Sequence, residues 1–267
     1  MDLFLPLLVN GVCVGLLYGI SAMGFVMIFK ASSVLNFAHG ELLALGAFFF
    51  LSLVTWGKLP VAAAFLLTLA GCFILGFIIE KFFLRPLIGE KLIFVIMLTV
   101  GLAAMFKGLI LLIWGGNLHT YPDFLPECLE LQLGDVYIAP VYSATMIITV
   151  IFLLLFGLFF NKSSQGIFMR SVSDNQQAAL SLGVHVRRVF ALSWAIAAMV
   201  ACMSGIVLGI INGVNVHDLS SIGLKVFPVV ILGGLDLSLI HISEPPRLLS
   251  IPYAVFCLKK KTSAERM

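Results

Sequence analysis

The sequence predicts an all-α membrane protein, a polytopic transmembrane helix bundle with about seven spans, and three observations predict it. Of the 267 residues, 61% are hydrophobic and 11% charged, with a mean hydropathy of +1.13, outside the range of soluble globular domains. Several apolar runs reach the ~20 residues that a helix needs to cross a ~30 Å hydrocarbon core without meeting a charge. Lys and Arg also alternate from loop to loop, as consecutive spans require.

Apolar runs between polar punctuation place spans at 5–29, 42–56, 60–79, 92–114, 139–160 and 190–211, with an incomplete seventh at 222–235. The first follows only Met1 and Asp2. It lacks the basic leader of a signal peptide and exceeds its core in length, so it reads as a retained span. The second is short and follows Asn36-Phe37-Ala38-His39-Gly40-Glu41; interrupted segments of this kind line the pathways of transporters. Two loops are basic: 80–91 carries Lys81, Arg85 and Lys91, and 161–189 carries Lys162, Arg170, Arg187 and Arg188. By contrast 115–138 holds Asp123, Glu127, Glu130 and Asp135 without a Lys or Arg, and 212–221 holds only Asp218. Because positive loops stay on the cytoplasmic side, the N-terminus is expected outside, Lys30 to Glu41 inside, 115–138 outside and 161–189 inside.

The net charge of +3 arises from the last 31 residues, since residues 1–236 balance at eleven charges of each sign. That leaves no basic patch interleaved with aromatics, and no case for nucleic acid. Cys13, Cys72, Cys128, Cys202 and Cys257 stand singly, mostly in apolar runs, and read as small buried hydrophobes. Close helix contact in lipid depends on small residues. Gly11, Gly15 and Gly19 are spaced four apart, as are Gly205, Gly209 and Gly213, so the first and sixth spans each carry a smooth ridge for helix packing or for a gating seam.

The domain reading is a membrane domain over 1–236 and a separate tail over 237–267. Past Asp236 the apolar run breaks at Glu244-Pro245-Pro246-Arg247, and Leu248 to Leu258 is too short to span before Lys259-Lys260-Lys261. Leu239 to Thr262 resembles a translated sequencing-adapter read-through, which implies a non-native tail and a truncated last span. The other reading is an amphipathic basic tail on the inner leaflet.

Enzyme signatures are missing: there is no G-x-S-x-G, no H-E-x-x-H, no paired carboxylates in one span and no phosphate-cradling glycine loop. The histidines never pair at ligand spacing, so neither a metal nor another cofactor is expected on this chain. Polar groups at membrane depth are costly unless satisfied or facing water. Asn36, His39 and Glu41 therefore read either as pathway or gating groups or as a satisfied helix break. Lys107, inside the fourth span, either snorkels to the interface, meets a substrate carboxylate or forms a structural ion pair; Lys225, early in the last span, divides the same way. The polar segment 161–189 reads as holding a short cytosolic helix, with Ser173 or Asp174 as N-cap and Gly183 as the left-handed residue that ends it.

Gln177-Ala178-Ala179-x-x-x-Gly183 resembles the Glu-Ala-Ala-x-x-x-Gly loop of bacterial ABC-importer permeases, with Gln in the Glu position. Its flanks, Gly166-Ile167-Phe168-Met169-Arg170 and Leu182-Gly183-Val184 with Arg187-Arg188-Val189, resemble the branched-chain amino acid permease version. Three more stretches match that family in order: Val34 to Glu41, Glu80 to Leu87, and Leu224-Lys225-Val226-Phe227 leading to Val230 to Leu235. The resemblance spans about residues 3 to 236. It implies a permease subunit in the bacterial inner membrane that imports leucine, isoleucine, valine or related amino acids, amides or urea. It also implies a second permease subunit, two cytosolic ABC ATPases that hold ATP and Mg, and a periplasmic binding protein. Arg170, Gln177, Ala178, Ala179 and Gly183 would then form the ATPase-coupling loop, its adjacent alanines allowing close approach to a partner. An ion-coupled secondary transporter is the competing class, and it expects a buried acid inside a span; apart from Glu41, no span carries one.

Overall fold

The computed structural model describes residues 4–32, 34–87, 90–122, 131–133, 136–138, 140–174 and 176–233. Met1–Ile231 form one compact unit; Leu232–Met267 form another, described only at 232 and 233. The 237–267 tail, the acidic residues Asp123, Glu127, Glu130 and Asp135, and Cys128 and Cys257 lie outside the described residues.

Seven helices take the places of the seven apolar runs: α1 Phe4–Ser32, α2 His39–Thr55, α3 Val61–Ile79, α4 Leu92–Trp114, α5 Pro140–Lys162, α8 Val186–Asn212 and α9 Val216–Gly233. Two short helices, α6 Ser164–Asp174 and α7 Gln176–Ser181, lie between α5 and α8. In hydrocarbon each backbone N–H and C=O must find its partner within the chain, which makes the helix the default for these runs even where they are β-branched. Four of the helices (α3 with its extension, α4, α5 and α8) are long and apolar enough to cross a membrane, while Val14–Phe29 and His39–Thr55 are shorter apolar helices. The bundle is an all-α membrane fold. Among the described residues it also holds a pair of antiparallel strands, β1 Leu131–Leu133 and β2 Val136–Ile138.

α8 is the axis of the bundle. Its apolar window is 83% buried, against 28% for α3, 22% for α4 and 18% for α5, so the chain wraps α8 and leaves the others facing outward. Small residues around its whole circumference permit this: Ser193, Ala195, Ala197, Ala198, Ala201, Ser204 and Gly205 are all buried. Three helices each bring a glycine to it. A Cβ on Gly24 of α1 would meet the Ala197 carbonyl oxygen at 3.2 Å; on Gly46 of α2, Cys202 Cα at 2.6 Å; on Gly76 of α3, the Trp194 carbonyl oxygen at 2.6 Å. Gly205 answers from α8, pressed against the Leu43 carbonyl. With no hydrophobic drive in lipid, such contacts supply the packing.

The two expected ridges fare differently. Gly205 packs on α2 and Gly209 on Tyr121, but Gly213 sits beyond α8 with φ +76 and ends the helix. Only glycine adopts that backbone comfortably. Gly11, Gly15 and Gly19 have nothing within 4 Å of where a Cβ would lie, so this ridge is uncovered among the described residues.

α2 begins deep in the bundle. Its first residue, His39, reaches the Ser21 carbonyl oxygen with Nε2 at 2.9 Å and touches the Gly24 position, which also faces Ala197 and Val200. Those residues lie about three turns along α8. The chain leaves α1 at Ser32 and climbs through Val34 to Asn36 before turning into the helix. At the same end of the bundle, past the contact of Gly76 with Trp194 and Ala198, α3 ends in a π-helical turn, Glu80–Leu84, and a 3₁₀ turn, Arg85–Leu87. Buried Glu80 takes a forked contact from Arg85 there, with Nη2 at 3.1 Å and Nε at 3.5 Å.

Candidate functional site

The helix break before α2 is a polar node built from α1, α2 and α9. Asn36 accepts the Ala38 N–H at 3.0 Å through Oδ1, and its carbonyl accepts the His39 N–H at 3.3 Å. The Asn36 side chain thus satisfies one backbone donor just before the helix, and its carbonyl satisfies a second. His39 is buried against Ser21 and stands edge-on to Phe25 at 5.9 Å. Not every polar atom is satisfied: Asn36 Nδ2, His39 Nδ1 and Ser220 Oγ have no hydrogen-bond partner. α9 seals the node from the other side, where Gly40 and Gly223 let the two backbones touch next to Ser220.

Glu41, one residue further, is half-buried beside Ser220 and within the electrostatic reach of Lys107 on α4. The structure therefore gathers Asn36, His39, Glu41 and Lys107 into one region of the bundle. Lys225 is exposed on α9 and does not join them.

At the opposite end of α2 the chain closes over itself. The segment after α4 dips inward: the His119 N–H donates to the Val214 carbonyl at 3.0 Å, the Val214 N–H returns to His119 at 2.7 Å, and the Tyr121 hydroxyl donates to the Ala47 carbonyl at 3.0 Å. Gly115 and Gly213, both at strongly positive φ, turn the chain into this bridge. The Trp114 indole N–H donates to Ser52 Oγ at 2.7 Å, and its ring stacks on Trp56 at 6.5 Å. Leu51, Thr55, Trp56, Trp114, His119 and Thr120 line a half-open pocket of ≈ 190 Å³. Among the described residues no group of three or more His, Cys, Asp or Glu could hold a metal ion.

The α6–α7 segment carries the residues that the sequence singled out for coupling. α7 ends in a Schellman motif: the Gly183 N–H donates to Leu180 at 3.0 Å and the Val184 N–H to Ala179 at 3.0 Å, with Gly183 at φ +82. Gly183 thus has the expected role. Asp174 closes α6 instead of capping the next helix from outside, and Ser173 also lies within α6. α6 was hidden in the sequence because its mixed composition shows no apolar run, although Met169 and Val172 are buried in the core with Met27, Val189 and Val200. Arg170 donates to the Asn161 carbonyl at 3.3 Å and lies over the Phe160 ring at 5.8 Å. Ala179 joins the same core at 2% exposure, so only one of the two adjacent alanines faces outward. The outer face is Ala178, Leu180 and Leu182, with Leu180 58% and Leu182 82% exposed; the Gln177 side chain lies outside what is described.

A helical bundle of this length, with a helix that starts at depth beside facing charges, is organised as a membrane transport protein. The family model for the branched-chain amino acid transport system permease component matches residues 7–253, and the chain belongs to that family. It is 27% identical over 246 residues to the high-affinity branched-chain amino acid transport system permease protein BraD of Pseudomonas aeruginosa, covering 87% of this chain and 80% of that one. It is 26% identical over 244 residues to the corresponding protein LivH of Escherichia coli, covering 87% and 79%. No solved structure gives a significant match.

Proposed function

We propose that this chain is the membrane-spanning subunit of an ATP-driven importer that carries branched-chain amino acids across a bacterial inner membrane. Its partners are a second permease subunit, two cytosolic ATPases and a periplasmic binding protein. The observation that carries the reading is the family match over residues 7–253, together with a glycine-capped helix, α7, that exposes Leu180, with Leu182 exposed just past its end. A stretch that exposes Leu180 and Leu182 on a basic loop costs solubility unless a partner covers it. The ATPase is the partner that this reading assigns to it, and ATP and Mg bind there.

The uncovered Gly11, Gly15 and Gly19 face of α1, flanked by exposed Leu7, Leu8 and Val12, is where we place the second permease subunit. Close approach of two helices at such a ridge is the general mode of lipid-embedded association. The test is co-purification. Leu182→Asp adds a charge at the exposed turn that ends α7 and touches no core residue, so membrane abundance stays at the wild-type level while the ATPase no longer co-purifies and uptake stops. Full ATPase retention and uptake in Leu182→Asp would show that α7 is only a solvated helix.

A further inference from the structure

Near the buried start of α2, two opposite charges, Glu41 on α2 and Lys107 on α4, lie on neighbouring helices without forming an ion pair. α4 runs beside α2: Thr99, whose hydroxyl donates to its own helix at Ile96, comes within 3.5 Å of the Leu35 carbonyl near one end, and Trp114 donates to Ser52 near the other. Lys107 lies between these points, alongside the first turns of α2. Its charge acts on the Glu41 carboxylate, yet the two form no ion pair; among the described residues the ion pair is Glu80 with Arg85. Charged groups at such depth are expensive unless water, a partner or a ligand lies between them.

Ser220 completes the arrangement. It is 9% exposed, and its Oγ stands close enough to the Glu41 carboxylate to interact with it, short of a formed hydrogen bond. It has little freedom to retreat, because the Ser220 carbonyl is pressed against Gly40 and Gly223 lies against the Gly40 backbone. The three groups offer a carboxylate, an ammonium and a hydroxyl from α2, α4 and α9. An α-amino acid presents the complement within one small headgroup: an ammonium for Glu41, a carboxylate for Lys107, and either for Ser220.

We propose that Glu41, Lys107 and Ser220 form an intramembrane site for the zwitterionic headgroup of an α-amino acid, a waypoint in translocation distinct from the capture step outside the membrane. The idea rests on the transport reading above and adds to it the residues that hold the cargo within this subunit. Glu41 takes the ammonium, Lys107 takes the carboxylate, and the aliphatic side chain is left to the apolar walls.

The test uses the assembled complex in detergent, without the binding protein, and labelled leucine as the probe. Competitors are isoamylamine, which keeps only the ammonium, and 4-methylpentanoate, which keeps only the carboxylate. Wild type should bind leucine at least about tenfold better than either competitor, since each charged contact is worth roughly that factor. Glu41→Gln should lower leucine binding to the 4-methylpentanoate level and leave 4-methylpentanoate unchanged. Lys107→Gln should do the converse with isoamylamine. A structural role cannot produce that crossed pattern. Absence of leucine binding in wild type, or variants that leave binding intact or weaken all three compounds alike, would overturn the proposal. Should either variant fail to assemble, Glu41→Asp and Ser220→Ala carry the same comparison, with weaker leucine binding expected and unchanged binding contradicting it. Failure of the transport reading itself looks different: the wild-type complex would then import no amino acid in proteoliposomes.

Discussion

Substituting Gly46 by alanine tests the packing account at its tightest crossing. The added methyl would lie 2.6 Å from Cys202 Cα and 2.7 Å from its Cβ and Sγ, where carbon contacts are comfortable only at about 3.5–4.0 Å. Backbone atoms cannot swing away, so α2 and α8 must part by about 1 Å along a buried seam, at the roughly 1–3 kcal/mol of an overpacked core. In a soluble helix the exchange of glycine for alanine would return up to about 1 kcal/mol through helix propensity. That return vanishes here, because a transmembrane segment is already helical before it packs. The control is Gly15→Ala, where nothing lies within 4 Å and the isolated subunit should not respond. Thermal melting of the purified subunit in detergent reads the difference: Gly46→Ala should melt several degrees below wild type and Gly15→Ala with it. Equal melting of the two variants would refute the assignment of α8 as the packed axis.

Gly183→Val should unwind the end of α7, since a β-branched residue at φ +82 costs on the order of 1–2 kcal/mol. Protease cleavage near residue 183 would rise, and an unchanged digestion pattern would argue against the Schellman cap. Glu80→Gln removes the buried partner of Arg85 and should cost about 1–3 kcal/mol, less whatever the partly exposed guanidinium recovers from water; melting at wild-type temperature would show that the pair is ornamental. Impermeant labelling of a cysteine at position 178 should require access to the cytoplasmic side, and labelling from outside would invert the topology.

Much of the bundle was legible because hydrocarbon imposes one rule on every span. The runs at 60–79, 92–114 and 139–160 coincide with α3, α4 and α5 to within two residues. Errors fall where polar residues sit inside helices. Arg187 and Arg188 hid the first turn of α8, His217 and Asp218 hid that of α9, and His39 to Glu41 hid that of α2. Spacing also misled. The ridge Gly11, Gly15 and Gly19 was conspicuous but is uncovered, whereas Gly24, Gly46 and Gly76 make the central contacts from three different helices. No periodicity within one helix can reveal a contact whose partners lie on another. The charged residues at depth were visible as anomalies, but their grouping depends on α4 lying beside the start of α2. The burial of Ala179 was likewise unreadable, since its partners come from α1, α6 and α8.

The central claim is best tested by reconstitution. The chain, purified with the permease and ATPase partners assigned above, is placed in liposomes loaded with ATP and Mg on the ATPase side, and labelled leucine is offered with the binding protein on the other. The account predicts leucine accumulation that depends on ATP, on the binding protein and on this chain, and that persists when ion gradients are collapsed. Accumulation that follows an imposed proton or sodium gradient and ignores ATP would contradict it.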